Sequence, residues 1–205
     1  MSGPPIVRRG LFSLLFVVIL VSLAAAACGS ETAEEGGEAG AASTENPDGT
    51  SALLTKILDL GQVFTFDDFL AAGFKKGREY NVEGLEAATG AYYGFYGLDP
   101  YSRQEYEARF YESHADAIEF GIPMADEVTG EGAMLRDDNV TWHEGLKDRR
   151  QCLGLGTHSH HTHSCNTAKH ADYVVRGNFI LLCQGLEVGV SQKHCKVLLD
   201  AMGLQ

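Results

Sequence analysis

The sequence predicts an α+β fold: a single domain with a largely antiparallel sheet, helices packed on one face and two disulfides. Three observations carry that expectation. Strand-like segments follow one another across short turns, so they pair as hairpins with few crossovers. The helical segments are separate from these strands and bounded by capping residues. Four cysteines, Cys152, Cys165, Cys183 and Cys195, lie in the last third of the chain.

Taken in order, "TSALLTKILDLG" at 50–61 reads as a short opening helix. "TFDDFLAAGFKKG" is a better one, with Thr65 as N-cap, Asp68 at the third helical position, lysines near the end and Gly77 after it. "REYNVEGLE" and "TGAYYGFYGL", rich in aromatics and punctuated by glycine, read as a strand pair. There Tyr93 and Phe95 are expected in the core, with Tyr92 and Tyr96 outside. "EYEARFY" alternates Tyr106, Ala108 and Phe110 with Glu105, Glu107 and Arg109, the pattern of a strand with solvent on one side.

"SHADAIEFGIPMADEVTG" follows with Ser113 and Asp116 in capping-box spacing and Ala115, Ile118, Ile122 and Ala125 on one helical stripe. Pro123 removes a hydrogen bond and clashes with the preceding turn, so a kink or break is expected there. "GAMLRDDNVTWHEG" is expected to supply a strand or two around Asp137 and Asp138, making residues 104–136 one crossover. Its Trp142, the lone tryptophan, is expected to anchor the core. "ADYVVRGNFILLCQG" reads as a hairpin turning at Arg176-Gly177-Asn178. The last helix, "SQKHCKVLLDAM", has Ser191 as N-cap and Gly203 past its end.

Before this body the chain has a different character. Arg8 and Arg9 precede an apolar run from Leu11 to Leu23, then small residues and Cys28, the layout of an export signal. The 17 residues from Leu11 to Ala27 fall short of the roughly 20 that a spanning helix uses. "Ala25-Ala26-Ala27-Cys28" resembles the lipobox of bacterial lipoproteins, with alanine at 25 where leucine is usual. The resemblance covers about 28 residues. It implies that residues 1–27 are cleaved, that Cys28 carries lipid, and that the protein is anchored on the extracytoplasmic side of a membrane in a bacterial cell envelope. A permanent single-pass anchor, or a secreted protein cut near Ala27, are the alternatives. With Cys28 lipidated, the five cysteines leave four, the number for two disulfides in an oxidising compartment. Of the three pairings, Cys152 with Cys165 and Cys183 with Cys195 is favoured, which places the loop between the first two in a small staple.

Residues 28–50, with six acidic side chains, no basic ones and no large apolar group, make a flexible spacer that leaves residues 51–205 as the globular domain. Loss of Arg8 and Arg9 lowers the 16 basic residues to 14 against 28 acidic ones, for a net charge of −14. Such a field repels phosphate backbones, so nucleic acid is not an expected partner.

The main chemical candidate is "HSHHTHSC" at 158–165. His158, His160, His161 and His163, with His170 brought near by folding, offer imidazoles of the kind that bind Zn or Cu. In an extended loop His158 and His160 face one way and His161 and His163 the other, a poor geometry for one closed tetrahedral site. The two readings are thus a weak metal-loading loop and a polar surface loop. "HEGLK" at 143–147 lacks the second histidine of a zinc-protease motif. No nucleophile elbow, phosphate loop or dinucleotide fingerprint occurs. Catalytic residues are therefore not assigned, and the expected function is a tethered domain that binds a small ligand or an envelope protein. Two alternatives stand beside it: an extracytoplasmic enzyme, in which His143, Glu144 and His114 come first for mutation, and an interaction module of an envelope complex.

Overall fold

In the computed structural model, residues 53–98, 101–136, 138–153 and 164–204 are described. Cys28, Asp137 and the tract His158, His160, His161 and His163 lie outside them.

A six-stranded sheet runs in the order β1-β7-β8-β4-β3-β2, and a separate hairpin pairs β5 with β6. The large sheet contains β1 (Ile57–Leu58), β2 (Lys75–Glu79), β3 (Ala88–Tyr96), β4 (Gln104–Tyr111), β7 (Asp172–Arg176) and β8 (Phe179–Cys183). Every pairing in it is antiparallel except β1 with β7. The hairpin is β5 (Arg150–Leu153) with β6 (Ser164–Ala168). The α+β class, the largely antiparallel sheet and the two disulfides are thus present, and the bridges are Cys152–Cys165 and Cys183–Cys195.

Side-chain alternation divides the sheet between two cores. Tyr106, Ala108, Phe110, Val174, Phe179 and Leu181 face one side, where they meet Phe69 of α1 (Phe66–Ala71) and Cys195, Leu198 and Leu199 of α4 (Val188–Ala201). Tyr173, Val175, Ile180 and Leu182 face the other and meet Ala117, Ala125 and Val128. Helical segments therefore cover both faces, where the sequence suggested one. The strands of β7 and β8 are buried throughout, and a sheet centre with apolar residues at successive positions needs cover on each side.

The second cover is the segment after β4: α2 (His114–Asp116), a π-helical turn over Ala117–Gly121, and α3 (Ile122–Asp126). Pro123 stands in the first turn of α3, and in place of the break expected there the helical backbone runs on from Asp116 through Gly121 and Ile122, all in the αR region. Ile122 donates its N–H to the Ala117 carbonyl, five residues back, and this wider turn shifts the buried stripe to Ala117, Gly121, Ala125 and Val128. Ala115, expected on that stripe, is exposed. At Gly121 a Cβ would stand 2.6 Å from both Ile180 Cδ1 and Tyr111 Cζ, so only glycine lets the turn lie this close to the sheet.

Other expectations are corrected. The described part of that opening stretch, 53–61, supplies the edge strand β1 rather than a helix, because Lys56 and Leu58 carbonyls accept from Val175 and Gly177 N–H. The helix α1 ends at Ala71, and Lys75 to Gly77 open β2. Tyr92 and Tyr96 pack on the main core, and Tyr92 stacks on Phe66 at 3.8 Å, reversing the assignment of that strand's faces. Residues 130–136 and 138–149 hold no strand; the chain that leaves β4 returns to the sheet only at β7, with β8 between the two. α4 begins at Val188, three residues before Ser191, whose hydroxyl is buried and donates to the Asp172 and Cys183 carbonyls. The capping box at Thr65 is present, with Asp68 accepting from the Thr65 N–H at 2.7 Å. The β7–β8 turn falls where expected, with Gly177 at φ +51°.

Candidate functional site

The site is built around the root of the β5–β6 hairpin. Cys152 and Cys165 are both exposed and bridge its two strands across 13 positions of chain. Below the bridge Gln151 faces Thr167 and Arg150 faces Ala168, after which Lys169 donates its N–H to the Arg149 carbonyl at 2.8 Å. The hairpin thus enters and leaves the body at Arg149 and His170.

Two clefts flank the first turn of α4 beside this hairpin. The larger, about 560 Å³, is lined by Gly130, Glu131, Asn166, Thr167, Ala171 and Val188 among others. The second, about 320 Å³, is lined by Gln104, Gln151, Gln184, Val190 and His194. Leu186 and Glu187 line both, so the turn before α4 forms a ridge between them. Leu186, Val188 and Val190 are large apolar side chains left exposed on that ridge. The amides of Gln104 and Gln151 make no hydrogen bond to another described residue, whereas Gln184 accepts from the Glu105 N–H and its carbonyl meets His194 Nδ1 at 2.6 Å. That bond makes Nδ1 the donor and leaves Nε2 as an acceptor when the ring is neutral. The walls therefore combine amides and hydroxyls, the Glu131 and Glu187 carboxylates and the His194 imidazole with an apolar ridge.

Behind the clefts the sheet carries a buried ionic cluster. Glu107 and Arg109 of β4 are fully buried, correcting the expectation of a solvated face on that strand. Glu107 accepts from Arg109 Nε at 2.7 Å and from Arg149 Nε and Nη2 at 2.7 and 3.0 Å. Burial pushes the Glu107 carboxyl up, but the Arg149 and Arg109 guanidiniums outweigh burial and hold it at about 2. Trp142 lies over both guanidiniums, 4.4 Å from Arg149 and 5.1 Å from Arg109, and its indole N–H donates to the Asn81 carbonyl. Beside it, Glu105 pairs with Lys169 and accepts from the Tyr93 hydroxyl at 2.5 Å. Burial and then the Glu105 bond raise the Tyr93 phenol.

His170, proposed from sequence as a metal ligand, is fully buried next to this cluster. Burial lowers its imidazole to about 3, with Lys169, Arg149 and Arg109 adding to the fall against Glu107. His170 thus stands enclosed beside the cations of this cluster, and the four tract histidines lie outside the described residues. Among the described residues no group of three or more His, Cys, Asp or Glu could hold a metal ion. His143 and Glu144 are exposed, and His114 Nδ1 meets the Gly177 carbonyl at 2.7 Å on the far side of the hairpin β7–β8 turn. His143 and Glu144 are neighbours in one loop, and among the described residues no hydrogen bond or ion pair joins either of them to His114.

Sequence reasoning missed Glu107, Arg109, Arg149, Gln104, Gln151 and Gln184. Only the alternation in "EYEARFY" pointed at β4, and it named the correct face for each residue while leaving the cover unseen.

The chain matches no curated protein and no solved structure. Residues 65–203, from the N-cap of α1 to the glycine after α4, match a family of unknown function (DUF6810), and the chain belongs to that family.

Proposed function

We propose that this protein is a lipid-anchored, extracytoplasmic binding protein. In this reading Cys28 carries the lipid, residues 28–50 hold the body away from the membrane, and the paired clefts at the start of α4 take a small polar ligand or a segment of an envelope protein. The clefts carry the proposal: the Gln104 and Gln151 amides, which have no hydrogen-bond partner among the described residues, and Asn166 and Thr167 stand against the exposed Leu186, Val188 and Val190. Two disulfides in one body support an oxidising compartment.

The exposed ridge also favours a second reading, an interaction module that docks a partner on Leu186, Val188 and Val190. Zn or Cu held by His158, His160, His161 and His163 is part of the proposal, on residues outside the described set.

Fractionation of a bacterial host that expresses wild type and Cys28→Ala tests the anchoring. Wild type is expected in the membrane fraction and the variant as an unprocessed precursor; equal processing and membrane retention of both would reject the lipoprotein assignment. Calorimetric titration of the full chain with Zn or Cu, beside a variant with the four tract histidines changed to Ala, tests the loop. Micromolar binding lost in the variant supports a metal-handling role, and equal heats in both reject it.

A further inference from the structure

The buried cluster behind the clefts has an imbalance of charge. With Glu107 ionised, Arg109 and Arg149 protonated and His170 neutral, the group carries one net positive charge, and all four residues are fully buried. The neighbouring ions do not offset it: Glu105 is paired with Lys169, and Asp148 with Arg78. An uncompensated charge out of water costs several kcal/mol, even after the surroundings relax.

The hydrogen bonding is unbalanced in the same sense. Arg149 spends its fork on Glu107, but Arg109 gives Glu107 only its Nε–H. Arg109 Nη1 and Nη2 and both ring nitrogens of His170 are buried and find no partner among the described residues. Both carboxylate oxygens of Glu107 are already engaged by the two arginines. Excess positive charge therefore coincides with unspent N–H donors, those on Arg109 Nη1 and Nη2 and the single N–H of a neutral His170, within electrostatic reach of each other.

We infer that Arg109, with His170 beside it, forms an internal site for a small monovalent anion of halide type, which neutralises the cluster at the root of the β5–β6 hairpin. Full burial of the four side chains selects a small ion, because phosphate or an organic carboxylate would displace more of the close packing around them. The charge selects a monovalent anion, since one negative charge brings Glu107, Arg109 and Arg149 to neutrality. The site is separate from the proposed clefts, and its test does not depend on them.

Trp142 provides the readout. It is the only tryptophan, is 3% exposed, and lies against both guanidiniums. A heavy halide bound at Arg109 quenches it statically, while a sealed indole is poorly reached by collision. The full chain is titrated with bromide at constant ionic strength, with gluconate as the replaced anion. Saturable quenching reversed by chloride is expected, together with a saturable rise in Tm of roughly 5–10 °C at a hundredfold excess over Kd. Arg109→Met should lose the chloride-dependent rise. Quenching that is weak and linear in bromide, unaffected by chloride, with an equal Tm in chloride and gluconate, would overturn the inference. The wild-type measurements decide the matter even if the variant does not fold. A bromide-soaked crystal with no anomalous peak in hydrogen-bond reach of Arg109 Nη1 or Nη2 would overturn it independently.

Discussion

A histidine sealed beside two arginines stays neutral where an unfolded chain would protonate it. The unfolded imidazole takes up a proton as pH falls through about 6.5, and folded His170 does so only near 3. Between these values the unfolded state binds more protons, so stability falls as pH drops, by up to ~1.4 kcal/mol per unit. Glu107 acts in the same direction over a lower window, because its folded value of about 2 lies below the ordinary 4.5. Its stabilising contribution is complete above 4.5 and is lost as pH falls toward 2. From pH 6.5 to 4.5 the His170 contribution is therefore separable. Thermal unfolding in gluconate buffers should show a wild-type Tm that declines from pH 7 to pH 5, and a nearly level one in His170→Leu until the carboxylate window is entered. An unchanged slope in the variant would mean that His170 is not the group responsible.

At the scale of elements, the two disulfides close loops of similar length, with sequence separations of 13 and 12. Chain entropy alone gives each about 3 kcal/mol. Their surroundings differ: Cys152 and Cys165 are exposed on the hairpin, whereas Cys183 of β8 and Cys195 of α4 are fully buried in the main core. Graded thiol reductant followed by alkylation and mass spectrometry should label Cys152 and Cys165 first, in a chain whose sheet remains intact, and Cys183 and Cys195 only on unfolding. Simultaneous labelling of all four would show that the hairpin is not an independent layer. Both bridges were legible because short separations in the same third of the chain favour local pairing. So were the capping box of α1 and the turn at Gly177, each a matter of backbone chemistry within a few residues. What was illegible depends on distant partners. Ile57–Leu58 becomes a strand only because β7 offers an edge, and Ser191, a good cap by type, is taken by the Asp172 and Cys183 carbonyls. The charged face of "EYEARFY" looked solvated because nothing near it in sequence announces that Arg149 and Trp142 fold over it.

For the molecule as a whole, two kinds of adhesion divide the labour. The sheet, α1, α4 and the α2–α3 segment cohere through apolar packing on both faces. The described residues between 130 and 170 are fastened to the rest by polar ties, Arg149 to Glu107, Lys169 to Glu105, Asp148 to Arg78 and Tyr80, and Trp142 to Asn81, beside one apolar contact, Trp142 on Tyr80, Leu85 and Ala91. Arg149 is the central one, because its guanidinium is fully buried and reaches Glu107 through two nitrogens. Arg149→Met keeps much of the side-chain volume while removing both bonds, and breaking a buried pair of this kind costs about 3–5 kcal/mol. If adhesion is divided as described, the loss is local. Hydrogen exchange should then quicken through residues 130–150 and 164–170, while the amides of β7, β8 and α4 keep their protection. Uniform loss of protection would instead make the excursion part of one cooperative core. Local loss would place the hairpin and its clefts on a layer that can loosen without unfolding the sheet, and such a layer is suited to admitting a ligand between α4 and β6.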